Sequence, residues 1–147
     1  ETVAQTLRLL GVKRAYVVHG SGLDEAAVHG TTEIAELKED GTIERSTLTP
    51  ADLGAKRLYS IEEIKGGAPA DNALITEAIL AGKGTEAQQA FVTANLALLL
   101  KIGGLAKSLP EAVELARRTM ASGKGLEVLN AHRAYAASHT ASSQKAA

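Results

Sequence analysis

The run Ala15-Tyr16-Val17-Val18 most restricts the fold, because a short apolar stretch bounded by polar and glycine residues reads as a buried strand. It empties into His19-Gly20-Ser21-Gly22-Leu23-Asp24-Glu25, a loop with two glycines, one histidine and two adjacent carboxylates. In an open α/β sheet, ligands occupy the crevice beyond the carboxyl ends of the strands, where this loop is placed. Adjacent acids at such a position can hold a hard cation. Mg²⁺ takes octahedral oxygen coordination and is usually held by one or two carboxylates plus substrate phosphates. In extended backbone, neighbouring side chains point to opposite faces, so Asp24 and Glu25 share one ion only if a turn brings them round. Otherwise they touch different ions, or one acts through water. The flanking glycines permit such a turn. Spacing alone leaves a solvated acidic loop as the plainer reading.

Around this loop the pattern alternates between helix and strand. Val3, Leu7 and Leu10 fall at helical spacing, and Gly11 fits a C-terminal cap. A helix followed at once by a strand is half of a βαβ unit, whose first strand would lie upstream of residue 1. Thr31–Lys38 and Thr42–Leu48 read as strands joined by Asp40-Gly41, a hairpin signal because both residues tolerate the positive φ of a tight turn. Ile34 lies on one face while Ala35 and Leu37 straddle the pleat. Residues 51–56 read as a turn or short helical piece, and Ile61 and Ile64 as a short helix before Gly66-Gly67.

From Pro69 the periodicity is helical. Leu74, Ile75, Ala78 and Ile79 form one stripe. Thr85 with Gln88 makes a capping box for a helix with a buried stripe of Phe91, Ala94, Leu98 and Ile102. Ser108 with Glu111 repeats the signature, with Pro110 in the first turn, and Val113, Ala116 and Met120 follow on one face. A last helix from about Gly125 carries Leu126, Leu129 and Tyr135. Residues 1–137 read as one α/β unit, a strand plus hairpin followed by a helical cluster. Residues 138–147 are small and polar, and read as a disordered tail.

With 147 residues, the chain is long enough to bury a core. Sixteen basic against 17 acidic residues give no electrostatic case for nucleic acid or an anionic membrane. No cysteine is present, so no disulfide framework or thiolate metal site forms. No apolar run reaches membrane-span length, and the expected location is cytoplasmic. One Phe, three Tyr and no Trp are few for a complete domain, which, with so few strands, suggests one part of a larger protein.

The run VVHGSGLDE, the Thr31–Leu37 strand and Gly66-Gly67 with Asn72-Ala73 together resemble the anthranilate phosphoribosyltransferase family, in order from about residue 2 to residue 130. The loop is the specific part; the GG and NA pieces alone are weak. The resemblance implies the C-terminal part of a nucleoside phosphorylase/phosphoribosyltransferase-type α/β domain. It also implies transfer of phosphoribosyl from phosphoribosyl pyrophosphate to anthranilate, Mg²⁺ as cofactor, and Asp24 and Glu25 as its ligands. The family's phosphate-cradling glycine loop and anthranilate-contacting arginine have no counterpart here and are expected upstream of Glu1. No catalytic residue is therefore assigned. On this reading the chain alone is inactive, needs the N-terminal half of the same enzyme, and belongs to a homodimer when complete.

Two alternatives stand beside it: a pyrimidine nucleoside phosphorylase of shared architecture, against which the GLDE loop argues, and a non-catalytic folding or assembly partner. His19 and Gly20 are the candidate substrate contacts, although a hydrogen-bonded structural histidine is the commoner role for a residue placed like His19. His29, four residues after Glu25, offers an E-x-x-x-H metal pattern but fits better as the approach to the hairpin. Asn72 reads as part of a helix start and Asn95 as an interhelical hydrogen bonder. His132 and His139 read as solvated.

Overall fold

Gly11, at φ +82°, ends the first helix, α1 (Thr2–Leu9), and the amides of Gly11 and Val12 return to the carbonyls of Arg8 and Leu7. The structure is a computed structural model that describes the backbone of residues 1–144 and the side chains of residues 1–139. The chain enters β1 (Ala15–Gly20), which pairs antiparallel with β2 (Thr32–Leu37), and β2 pairs antiparallel with β3 (Ile43–Leu48). The order is β1-β2-β3, with Val18 opposite Ile34 and Ile34 opposite Ser46.

Strand alternation then sorts the faces. Tyr16, Val18, Ile34 and Leu48 share one face and pack into the main core with Ala94 and Leu98. Ala35 and Leu37 are buried on the other face, on the strands that α1 contacts. This two-sided burial explains the broken alternation in β2. β1 is half-buried, not buried as its apolar run suggests. No strand among the described residues covers its second edge.

The β2–β3 hairpin forms as the sequence indicates, but by a longer turn. Gly41 N donates to Lys38 O and Lys38 N to Thr42 O, enclosing Glu39, Asp40 and Gly41. Only Gly41 takes positive φ, +83°. Asp40 works through its carboxylate, which accepts from Thr42 N at 2.9 Å and Thr42 Oγ1 at 2.7 Å. These bonds hold its carboxyl below the usual value.

Five helices follow: α2 (Ile61–Ile64), α3 (Pro69–Leu80), α4 (Glu86–Ile102), α5 (Leu109–Ala121) and α6 (Lys124–Gln144). The capping box of α4 closes reciprocally between Thr85 and Gln88. At α5 Ser108 Oγ accepts from Glu111 N, but the Glu111 carboxylate reaches past the cap to Lys107 N. In α4 Ala94 and Leu98 are buried, as expected, while Phe91 and Ile102 are half-buried. Ala97, Ala106, Ala112, Val113 and Ala116 form a second core where α4 meets α5. Small side chains there let the helices approach closely, so the core needs few aromatics.

Two sequence expectations shift. Leu74 is 67% exposed and α3 has no buried residue; its packing is against α5 and α6, with a hydrogen bond from Gln89 of α4 to Ile79 O. α6 runs through Gln144, so the expected tail boundary at Ser138 falls inside a helix. Alanine is the strongest helix former, and Ala134, Ala136 and Ala137 sustain the helix where hydrophobic periodicity has ended. Residues 145–147 lie outside the described residues. No helix among the described residues is long and apolar enough to cross a membrane.

Glu63 in α2 carries a pH prediction. Its carboxylate accepts from Arg57 at 2.6 Å and from Ser60 N at 2.8 Å, and these bonds lower its pKa from 4.5 to about 2. A depressed folded-state pKa stabilises above the unfolded value and loses that contribution as pH falls through the folded value. Urea midpoints of Glu63→Gln and wild type should therefore converge between pH 4.5 and about 2. A constant gap over that window would contradict the coupling.

Candidate functional site

The loop after β1 opens with a two-residue turn. Gly20 N donates to Leu23 O at 3.0 Å and Leu23 N to Gly20 O at 3.1 Å. Ser21 and Gly22 take φ of +49° and +96°, the sign pattern of a type I′ hairpin turn. Ser21 is the one non-glycine residue at positive φ among the described residues. Three neighbours hold it. Ser21 Oγ donates to Thr31 O at 2.9 Å, His29 Nε2 donates to Ser21 O at 3.1 Å, and a Cβ on Gly30 would collide with Ser21 Oγ.

Asp24 and Glu25 follow the turn, both exposed. Neither side chain makes a hydrogen bond or ion pair among the described residues. Immediately after them the chain dives: Ala26, Ala27 and Val28 are fully buried at 0% exposure. Their backbone polar groups find partners. Asn95 Oδ1 accepts from Ala26 N at 2.9 Å, and Asn95 Nδ2 donates to Ala26 O at 3.2 Å and to Phe91 O at 3.0 Å. Ala27 N donates to Thr32 Oγ1 at 2.9 Å, and Tyr59 N to Val28 O at 3.0 Å. The carboxylates thus sit between a closed turn and a buried anchor.

Both acids rim a cavity of about 640 Å³ between the end of β1 and the helices, with Tyr16, Val18, Phe91 and Leu98 among its walls. Burial raises the Tyr16 phenol above its ordinary value, and Glu36 adds to the rise. The phenol therefore stays protonated at neutral pH. Among the described residues no three His, Cys, Asp or Glu side chains cluster as a complete metal cage. Two unengaged carboxylates at a cavity mouth match a cation whose other ligands are water and phosphate oxygens.

The remaining candidates separate from this pair. His19 is exposed, without a hydrogen-bond partner among the described residues, so the structural hydrogen-bonding role does not hold. Alternation puts it on the sheet face opposite Val18, beside Glu33 and Thr47 and away from the acid-rimmed cavity. Gly20 is a backbone necessity: a Cβ there would lie 2.5 Å from Ala27 N and still closer to Glu25 O. Asn72 belongs to a helix start, as expected, and brackets Gly67 by accepting from its N at 2.8 Å and donating to its O at 3.0 Å. Gly66 is glycine because a Cβ would strike Asn72 Oδ1.

Asn95 is the residue that sequence reasoning misplaced. Its partner is the acidic loop, not another helix. The available signal was an amide in an apolar helix stripe, which must find a partner when buried. Asn95→Ala leaves the fully buried Ala26 N–H and C=O unpaired, and unpaired buried groups typically cost ~1–3 kcal/mol. Urea unfolding should show a loss of about 2 kcal/mol; a loss below about 0.5 kcal/mol would mean the anchor is dispensable.

Comparison with known proteins identifies the family and the fold. An anthranilate phosphoribosyltransferase of Tolumonas auensis is 53% identical over 127 residues, which cover 86% of this chain and 37% of that protein. The chain thus spans about 37% of the length of this relative. The crystal structure of anthranilate phosphoribosyltransferase from Thermus thermophilus superposes with a TM-score of 0.80 at 32% identity, covering 90% of this chain and 38% of that one. The Saccharomyces cerevisiae enzyme, in complex with PRPP and Mg, shares the fold with a TM-score of 0.72 at 22% identity, covering 84% of this chain and 35% of its own. The family model described as glycosyl transferase family, a/b domain, matches residues 1–126, and the chain belongs to that family.

Proposed function

We propose that this chain forms the metal-holding wall of an anthranilate phosphoribosyltransferase, which moves phosphoribosyl from phosphoribosyl pyrophosphate to the amino group of anthranilate and releases pyrophosphate. The observation that carries the reading is the Asp24–Glu25 pair, exposed, without a protein partner and fixed at the mouth of a cavity. The name of the Tolumonas auensis relative, at 53% identity, supports the acceptor and donor.

On this reading Asp24 and Glu25 supply the carboxylate oxygens for Mg²⁺. When bound, Mg²⁺ offsets charge on the pyrophosphate leaving group. The turn at Ser21-Gly22 and the Asn95 anchor hold the backbone on either side of the pair, which limits where those oxygens can stand. Tyr16 and Val18 supply apolar wall beside them, keeping bulk water from one side of the site. On this reading the carboxylates act as metal ligands, and the displacement is governed by positioning and charge. From the family resemblance come a complementary N-terminal part with the phosphate cradle and anthranilate pocket, a homodimeric complete protein and a cytoplasmic location.

The test mixes the 147-residue chain with the N-terminal remainder of the Tolumonas auensis relative and follows phosphoribosylanthranilate formation with Mg²⁺. The expected result is activity from the mixture and none from either part. Full activity of the chain alone, or Mg²⁺-independent turnover of the mixture, would overturn the reading.

A further inference from the structure

The half-buried imidazole of His29 has no part in the reading above, yet it touches the loop that does. Its Nε2 donates to Ser21 O at 3.1 Å, while its Nδ1 is buried and has no hydrogen-bond partner among the described residues. Buried polar atoms are nearly always paired, so the unpaired nitrogen carries a cost that the bond made by the other nitrogen must offset. A leucine would fill the same space without the orphaned atom. What leucine cannot supply is the donor to Ser21.

Ser21 needs that donor more than most residues. It holds φ +49°, a left-handed conformation that side-chain-bearing residues rarely adopt, and such conformations persist only where surroundings over-determine them. The Ser21 Oγ bond to Thr31 O fixes the side chain, and the absent Cβ of Gly30 makes room for it. The His29 bond fixes the carbonyl, and with it the peptide plane leading into Gly22. Asp24 begins two residues after that plane.

We propose that His29 is a positioning residue for the Asp24–Glu25 pair, holding the Ser21 peptide so that both carboxylates meet one cation at the cavity mouth. This rests on the metal reading of those acids. Groups that orient metal ligands from outside typically change metal affinity or activity ~10–100-fold when lost.

Two measurements test it. In the full chain, amide hydrogen exchange at Leu23 and Gly20 reports the turn, and exchange at Ala94 and Leu98 reports the core. His29→Leu is expected to speed exchange at the turn ~10-fold or more while the α4 amides stay within about twofold. His29→Gln, which keeps a side-chain N–H, should return the turn toward wild type. In the active mixture, the Mg²⁺ concentration for half-maximal turnover should rise ~10–100-fold in His29→Leu, with KM for anthranilate unmoved.

Equal acceleration at turn and core would mark His29 as ordinary packing and overturn the proposal. So would an unchanged Mg²⁺ requirement in His29→Leu where Asp24→Ala is impaired. If Asp24→Ala itself keeps wild-type Mg²⁺ dependence, the metal reading fails by itself. Leu23 exchange then still decides whether His29 holds the turn.

Discussion

Replacing Gly20 by alanine is expected to cost ~3 kcal/mol or more in unfolding free energy, the upper range for a single methyl. The added Cβ would press into Glu25 O, lie 2.5 Å from Ala27 N and lie 2.9 Å from Ala27 Cβ. Two of these three are backbone atoms of a segment that cannot retreat, because Ala26 is pinned by Asn95 and Ala27 N by Thr32 Oγ1. Relief requires opening the Gly20–Leu23 turn or pulling residues 26–28 from the core. Gly22 supplies the control. A Cβ there meets nothing within 4 Å, and only its φ of +96° opposes a side chain. Gly22→Ala should therefore cost ~1–2 kcal/mol, the usual penalty for a left-handed residue. Urea unfolding of the two variants separates crowding from conformational strain; equal losses would show that the turn, not the packing behind it, sets the requirement for glycine.

The same contrast explains what could be read from the sequence. Elements governed by local pattern were legible: the β2–β3 hairpin from Asp40-Gly41 despite its broken alternation, the start of α4 from Thr85 and Gln88, the placement of Asn72 at a helix start. The acidic pair was legible by spacing only as a weak signal, where a solvated loop is the plainer reading, and its metal role came from the resemblance carried by the VVHGSGLDE run. What holds the pair was not legible. Asn95 lies 69 residues from Ala26, and His29 acts through a carbonyl whose position depends on one unusual φ angle. Long-range partners of this type leave no periodicity behind. The tight turn itself was displaced: the positive-φ pair is Ser21-Gly22, while Asp40 contributes by its carboxylate. Ser-Gly is a weaker turn signal than Asp-Gly, and in Ser21 it needs outside support that only the folded loop provides. The continuation of α6 past Ser138 was hidden for the opposite reason, since hydrophobic periodicity is silent about helices carried by alanine propensity.

In the assembled enzyme, Asp24→Ala and Glu25→Ala are each expected to lower Mg²⁺-dependent turnover ~10²–10³-fold, the range seen when one preorganised stabiliser of transition-state charge is removed. Stability should hardly move, because both side chains are exposed and unpaired and such substitutions stay within about 0.5 kcal/mol. The fold is secured on either side by Gly20 and Asn95, not by the acids. Normal turnover in both variants would remove the metal assignment. The double variant carries the finer information. Groups that act as one unit lose their effect once, so two ligands of a single ion should give a double variant little worse than the worse single one. Carboxylates serving two separate ions should instead give losses that multiply. The closed turn at Ser21-Gly22 supplies the bend that adjacent acids need to face the same way, and with His29 holding its peptide plane the expected outcome is the non-additive one.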